Sequence, residues 1–171
     1  RQPFFLYLPL VHLHFPTLPH PDFAGASGCG DFADAMLEMA GICHGQTVLD
    51  VGAGTGLLAE RLREMGQAGP IDAVDFSAEM LGRAAEKGIY RTLAQADITQ
   101  PIALPRQYGG IVSSGTFTAG HVGPEAFVHL IALALPGAQF ALSVNLRVWT
   151  AQGFDRAVAA LQSAGQITAL Q

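Results

Sequence analysis

Lysine is almost missing from this chain of 171 residues. It occurs once, at Lys87, and nine basic residues face fourteen acidic ones, for a net charge of −5. No basic run occurs, whereas a phosphate-backbone binder needs clustered positive charge, so nucleic acid is not an expected partner. Cysteine is scarce too. Cys29 and Cys43 are the two present and form no C-x-x-C pair, which excludes a disulfide framework and points to a reducing cytoplasm. Long apolar runs are also lacking: Phe4 to Val11 stops at His12, too short to span a bilayer, so no membrane partner is expected. Arg1 and that run have the outline of a signal peptide, with Ala24-Gly25-Ala26 as a cleavage-like site. The intervening histidines, prolines and Asp22 argue against it. A first residue other than methionine suggests a fragment, a processed product or an engineered piece. What is present in quantity is apolar sequence, 50% of residues with 13% charged, the balance of one globular domain or one domain with an appendage.

Residues 1–30 read as one strand, Phe4–Leu8, and an irregular loop punctuated by proline and glycine. Phe32, Ala35, Met36 and Met39 then recur at helical spacing, up to a terminator at Gly41. From Gln46 onward the pattern becomes regular. Strands are predicted at Thr47–Val51, Ile71–Asp75, Arg91–Ala94, Gly110–Ser114 and Ala138–Asn145, with a sixth starting at Ile167 as the chain stops. Helices are predicted at Leu57–Met65, from a Ser77 cap to Lys87, from Pro124 through Leu135, and around Phe154, Val158 and Leu161. Alternation of this kind predicts an α/β fold: βαβ units with right-handed crossovers, hence a doubly wound, mostly parallel sheet.

The informative segment is Asp50-Val51-Gly52-Ala53-Gly54-Thr55-Gly56, a buried strand running into three alternate glycines and then a helix. Glycines let a ligand approach the backbone, and a helix N-terminus presents free N–H groups. Asp75 follows Gly56 by nineteen residues, at the end of the second strand, where a carboxylate can accept the hydroxyls of a ribose. A dinucleotide fingerprint wants glycine where Leu57 stands, and a P-loop wants a lysine that is not there. The D-x-G-x-G-x-G spacing instead resembles the first motif of class I S-adenosylmethionine-dependent methyltransferases. Val74-Asp75-Phe76-Ser77-Ala78-Glu79-Met80-Leu81 resembles their second motif, and Ala94-Gln95-Ala96-Asp97-Ile98 their third. Gly110–Phe117 resembles their fourth strand. The stretch Ser113–Pro124, with Val148-Trp149, is similar to a subgroup related to the Williams–Beuren-region methyltransferase.

The resemblance covers residues 40–171 and implies a Rossmann-like core, here lacking its last strand or strands. It also implies S-adenosyl-L-methionine as cofactor and direct methyl transfer to a small-molecule or otherwise unknown acceptor. It places the cofactor on Asp50, Gly52, Ala53, Gly54 and Gly56, on Asp75 at the ribose, on Phe76 and Met80 flanking the adenine, on Asp97 and Ile98, and on Ser114. Beside those roles stand plainer ones: Asp75 as a helix cap, Asp97 as a loop acid, Met80 as core. His121 follows a loop at the carboxyl end of the sheet, where a general base could stand, but a lone histidine is more often a satisfied hydrogen-bonding residue. No catalytic residue is therefore assigned.

Residues 1–39 resemble an internal piece of arylsulfatases, through Arg1–Pro16, Asp22–Gly25 and Gly30–Met39, with His14 matching a sulfate-contacting histidine. The chain thus reads as a chimera joined near Met39–Ala40, a fragment that is not an independent domain followed by a methyltransferase domain. His12 and His14 share a strand face with His20 nearby, but without a fixed fourth ligand no metal site is expected. The alternative to an enzyme is a non-catalytic chimera retaining part of a cofactor site. The fifth strand, without its usual neighbour, leaves an apolar edge that Phe4–Leu8 is expected to cover, within the chain or, preferably, by exchange in a homodimer. One negative outcome follows from the missing sulfatase nucleophile motif, C-x-P-x-R. The protein should show no turnover of a chromogenic aryl sulfate; turnover that survives purification and vanishes in His14→Ala would contradict this.

Overall fold

A computed structural model describes residues 4–8 and 45–168. Outside them lie Cys29, Cys43, His12, His14, His20 and the helix expected before Gly41. The elements are β1 (Phe4–Leu8), β2 (Val48–Val51), α1 (Leu57–Glu64), β3 (Ile71–Asp75), α2 (Ala78–Glu86), β4 (Thr92–Gln95), β5 (Tyr108–Phe117), α3 (Ala126–Ala132), β6 (Ala134–Val144), α4 (Leu146–Trp149) and α5 (Phe154–Ser163). The strands form one six-stranded parallel sheet in the order β1-β6-β5-β2-β3-β4. No helix among the described residues is long and apolar enough to cross a membrane.

The alternation of side chains along each strand divides the core in two. Val48, Ile71, Val112 and Ala141 meet Leu58, Ala59 and Leu62 of α1 on one face. Leu49, Val51, Ile111, Phe140 and Leu142 meet Phe127 and Leu130 of α3 and Phe154 and Val158 of α5 on the other. There Phe117, Phe127 and Phe154 form a triangle of rings with centroids 5.5–6.0 Å apart. Helices on both faces make the sheet doubly wound, as expected. The strand order reverses between β2 and β5, so their carboxyl ends open a crevice at the centre of the sheet.

Several boundaries differ from the sequence reading. The helix read from Pro124 through Leu135 spans only Ala126–Ala132, and β6 starts at Ala134. Leu133-Ala134-Leu135 has helical character, but Tyr108 N donates to Leu133 O (2.9 Å) and Ala134 pairs with Tyr108, so sheet pairing overrides local propensity. β5 runs on to Phe117, with a register shift against β6 between Ser113 and Phe117 and Gly115 at φ 84°. Ile167 is buried against the aromatic core but begins no strand within the described residues. Phe4–Leu8 pairs in parallel with Gln139–Ser143 of the same chain and so covers the β6 edge. A partner on the same chain is present at high effective concentration whatever the protein concentration.

One charged cluster is built into the sheet. Asp72, 1% exposed, accepts from Arg91 Nε (2.9 Å) and Nη2 (2.7 Å) and from the Tyr108 hydroxyl (2.9 Å), and Arg106 approaches to 3.8 Å. Burial alone would raise the Asp72 pKa. The hydrogen bonds from Arg91 and Tyr108, together with the Arg91 charge, outweigh it and hold the carboxyl below 3.8. A folded-state pKa below the unfolded value stabilises the fold above the unfolded pKa, and that gain is lost as pH falls through the folded pKa. Arg91→Ala should therefore cost about 2 kcal/mol at pH 7, less than the loss of a partner from a fully buried pair, because the Arg91 side chain is 33% exposed. The deficit should shrink below about pH 4. Urea melts of both proteins at pH 7 and pH 3 would check this; an equal deficit at both would contradict it.

Candidate functional site

The end of β2 cannot continue as a strand, because Gly52, Gly54 and Gly56 take φ values of +66°, +56° and +80°. Left-handed backbone is costly for residues with a Cβ. A second constraint applies at Gly52, where a Cβ would collide with the Thr116 side chain. Thr116 stands there because its hydroxyl and that of Ser113 both donate to Val51 O (3.1 and 2.7 Å), latching the end of β5 to β2. At Gly54 a Cβ would meet nothing within 4 Å, so that position faces open space. Gly56 is buried behind the turn, against the ring of Tyr90.

The turn is held from the side by Asp75. Its Oδ2 accepts from Gly54 N (2.7 Å) and its Oδ1 from Ser77 N (2.8 Å), so one carboxylate ties the glycine turn to the start of α2. The cap of α2 is Ser77 rather than Asp75, its hydroxyl accepting from Met80 N at 3.3 Å. Each Asp75 oxygen has a further lone pair to offer a hydroxyl. Asp97 lies exposed at the end of the next strand, where Oδ1 accepts from Thr99 N (2.9 Å) and Thr99 Oγ1 (2.7 Å). These bonds keep its carboxyl below the usual range.

Two adjoining cavities occupy the crevice and share Gly52 and Ser114. One, of about 330 Å³, is lined by Asp75, Phe76, Asp97, Ile98, Thr116 and His121 among others. The other, of about 320 Å³, is lined by Asp50, Ala53, Gly54, Thr55, Leu58 and Met80 among others. Phe76 (73% exposed) and Met80 (39%) are apolar side chains left open on this surface. Of the residues that the resemblance assigned to the cofactor, all but Gly56 line one cavity or the other. Asp50 is 1% exposed at the back of its cavity, and Tyr90 Oη donates to its Oδ2 at 2.6 Å. Burial pushes its pKa up to about 7; the Tyr90 bond works against the rise, and the nearby Asp75 charge adds to it. The sequence reading gave Tyr90 no place, and it named Ser113 and Thr116 only as part of a resembling stretch, with no role in the site. They act through contacts 40 to 65 residues distant, and only the hydroxyl-rich end of β5 offered any local signal. Among the described residues no His, Cys, Asp or Glu side chains gather into a metal-binding group.

The crevice, the glycine turn and the strand-end acid fall within residues 48–136, which match the family model described as a methyltransferase domain, over more than half of the chain. The chain belongs to this methyltransferase family. A Bdellovibrio bacteriovorus protein, the ubiquinone/menaquinone biosynthesis C-methyltransferase UbiE, is 39% identical over 69 residues, 38% of this chain and 29% of that protein. The crystal structure of a SAM-dependent methyltransferase from Aquifex aeolicus matches with a TM-score of 0.54 at 29% identity, covering 64% of this chain and 62% of that one. The chain thus spans less than two thirds of either relative. A third match is to an N-acetylgalactosamine-6-O-sulfatase of Bacteroides thetaiotaomicron, 47% identical over 39 residues, 23% of this methyltransferase chain and 8% of the sulfatase.

The two cavity-lining glycines, Gly52 and Gly54, should respond differently to a methyl group. Gly52→Ala adds both left-handed strain and a collision with Thr116, and should cost on the order of 3 kcal/mol. Gly54→Ala adds strain alone, about 1 kcal/mol. Chemical denaturation of the two variants measures the difference; equal losses would show that Thr116 does not restrict Gly52.

Proposed function

We propose that this domain binds S-adenosyl-L-methionine in the crevice and transfers its methyl group by direct displacement to a small-molecule acceptor. The observation that carries the reading is the Asp75 carboxylate bonded to Gly54 N, at the point where the strand order reverses and beside a divided cleft. The donor set fits such a cofactor. Asp75 would take the ribose hydroxyls, Phe76 and Met80 the faces of the adenine, and Asp97 and Ile98 its edge. Gly52, Gly54 and the Asp50 carboxylate would receive the amino-acid end, with Ser114 between the two compartments. When bound, the cofactor supplies a methyl group on a positively charged sulfur. The chain's own part is to hold donor and acceptor in line, which is the larger share of catalysis in a displacement of this kind. Thr116 and His121 line the same cavity as Asp75 and Asp97, so the acceptor would share that cavity with the nucleoside end of the cofactor. The name of the Bdellovibrio relative speaks of carbon methylation in quinone biosynthesis, and that acceptor is not carried over. Kinship with the Williams–Beuren-region subgroup and a sulfatase origin for residues 1–39 belong to the same reading, the second supported by the 39-residue match.

Titration calorimetry with S-adenosylmethionine and S-adenosylhomocysteine tests the proposal. Asp75→Ala should weaken binding by roughly 1–3 kcal/mol, the range for hydrogen bonds to a charged group. Failure of the unmutated protein to bind either compound at millimolar concentration would overturn the reading, and equal affinity for NAD would favour a dinucleotide site.

A further inference from the structure

Tyr90 lies outside every motif, in the connection between α2 and β4, yet two contacts bring it to the centre of the site. Its hydroxyl donates to Oδ2 of Asp50, the acid at the end of β2 that backs the Asp50–Met80 cavity. Its ring lies against Gly56, where an added Cβ would come within 3.0 Å of Tyr90 Cε2. A half-buried tyrosine therefore touches both ends of the glycine turn, Asp50 before it and Gly56 after it. We propose that Tyr90 is a positioning residue of the cofactor site, orienting the Asp50 carboxylate for the cationic amino-acid end of the ligand. The inference rests on the cofactor reading above and deepens it.

The charges around Asp50 make its hydrogen bond matter. Within the sheet, its neighbours in register are Ala73 on β3 and Val112 on β5, which carry no charge. Asp75 at the end of β3 is the nearby acid, and it disfavours a second negative charge. From α1, Glu60 faces Tyr90, and it is itself paired with Lys87 at 2.7 Å. His121 lines the neighbouring cavity. Among the described residues no cationic side chain bonds Asp50, so the Tyr90 hydroxyl is the neutral donor that favours the ionised form against burial and repulsion. A bound cation would add to that preference. Burial and the Asp50 charge in turn raise the pKa of Tyr90, so its hydroxyl stays protonated and able to donate.

Tyr90→Phe removes the donor and keeps the ring against Gly56. In the ligand-free protein, the Asp50 carboxyl followed by carbon-13 NMR should titrate about one unit higher in this variant than in the parent. Calorimetry at pH 7 should show S-adenosylhomocysteine bound about tenfold more weakly. The pH midpoint of its affinity should move upward in step with Asp50, and Asp50→Asn should abolish that pH response. A Tyr90→Phe protein that keeps the parental Asp50 titration and the parental affinity would overturn the proposal while leaving the cofactor reading intact. A loss of affinity caused only by a lower melting temperature, with the titration unmoved, would reduce Tyr90 to packing and overturn it too. If the parent itself binds neither S-adenosylhomocysteine nor S-adenosylmethionine, the cofactor reading fails first and the proposal with it.

Discussion

The carboxylate of Asp75 is the point on which the site depends. Three left-handed glycines in five residues make a turn with little intrinsic preference for one shape, because glycine loses the most conformational freedom on folding. Asp75 removes that freedom from outside, binding the N–H of Gly54 with one oxygen and that of Ser77 with the other. The turn after β2 and the first turn of α2 are thereby held as one unit. Thr116 and Ser113 brace the same turn from β5 through Val51 O. The crevice is a consequence of these few bonds across three adjacent strands.

The sheet also carries two buried aspartates in opposite electrostatic states. Asp72 is surrounded by donors, with a bidentate arginine and a tyrosine, and is held ionised to low pH. Asp50 has one neutral donor and an acid nearby, and burial lifts it to about 7. Asp72 serves the fold: its charge is compensated within the chain. Asp50 has no such compensation among the described residues, so burial and the Asp75 charge are opposed there by the Tyr90 hydroxyl.

Much of this was legible in the sequence. The βαβ alternation requires a doubly wound sheet, since each strand is a short apolar run and each intervening helix shows one apolar face. The three glycines and Asp75 announce a ligand-facing turn because their spacing matters only at the end of a buried strand. The errors concentrate where local preference and sheet pairing disagree. Leu133 to Leu135 reads as helix in isolation and becomes the start of β6 once Tyr108 offers it a partner. Ile167 is buried against the aromatic core and is not in a strand, and the rest of the strand expected after it lies outside the described residues.

By itself, then, the chain's residue order determined the fold class, the position of the glycine turn and the identity of the acid beside it. Those follow from periodicity, from the absence of a Cβ and from fixed spacings along one polypeptide. Tertiary structure alone decided that Gly56 lies behind the turn, that Thr116 restricts Gly52, and that Tyr90 reaches Asp50 across forty residues. It also decided that Phe4–Leu8 pairs with β6. Such contacts join segments with no mutual periodicity, and they exist only after the sheet has brought its strand ends together.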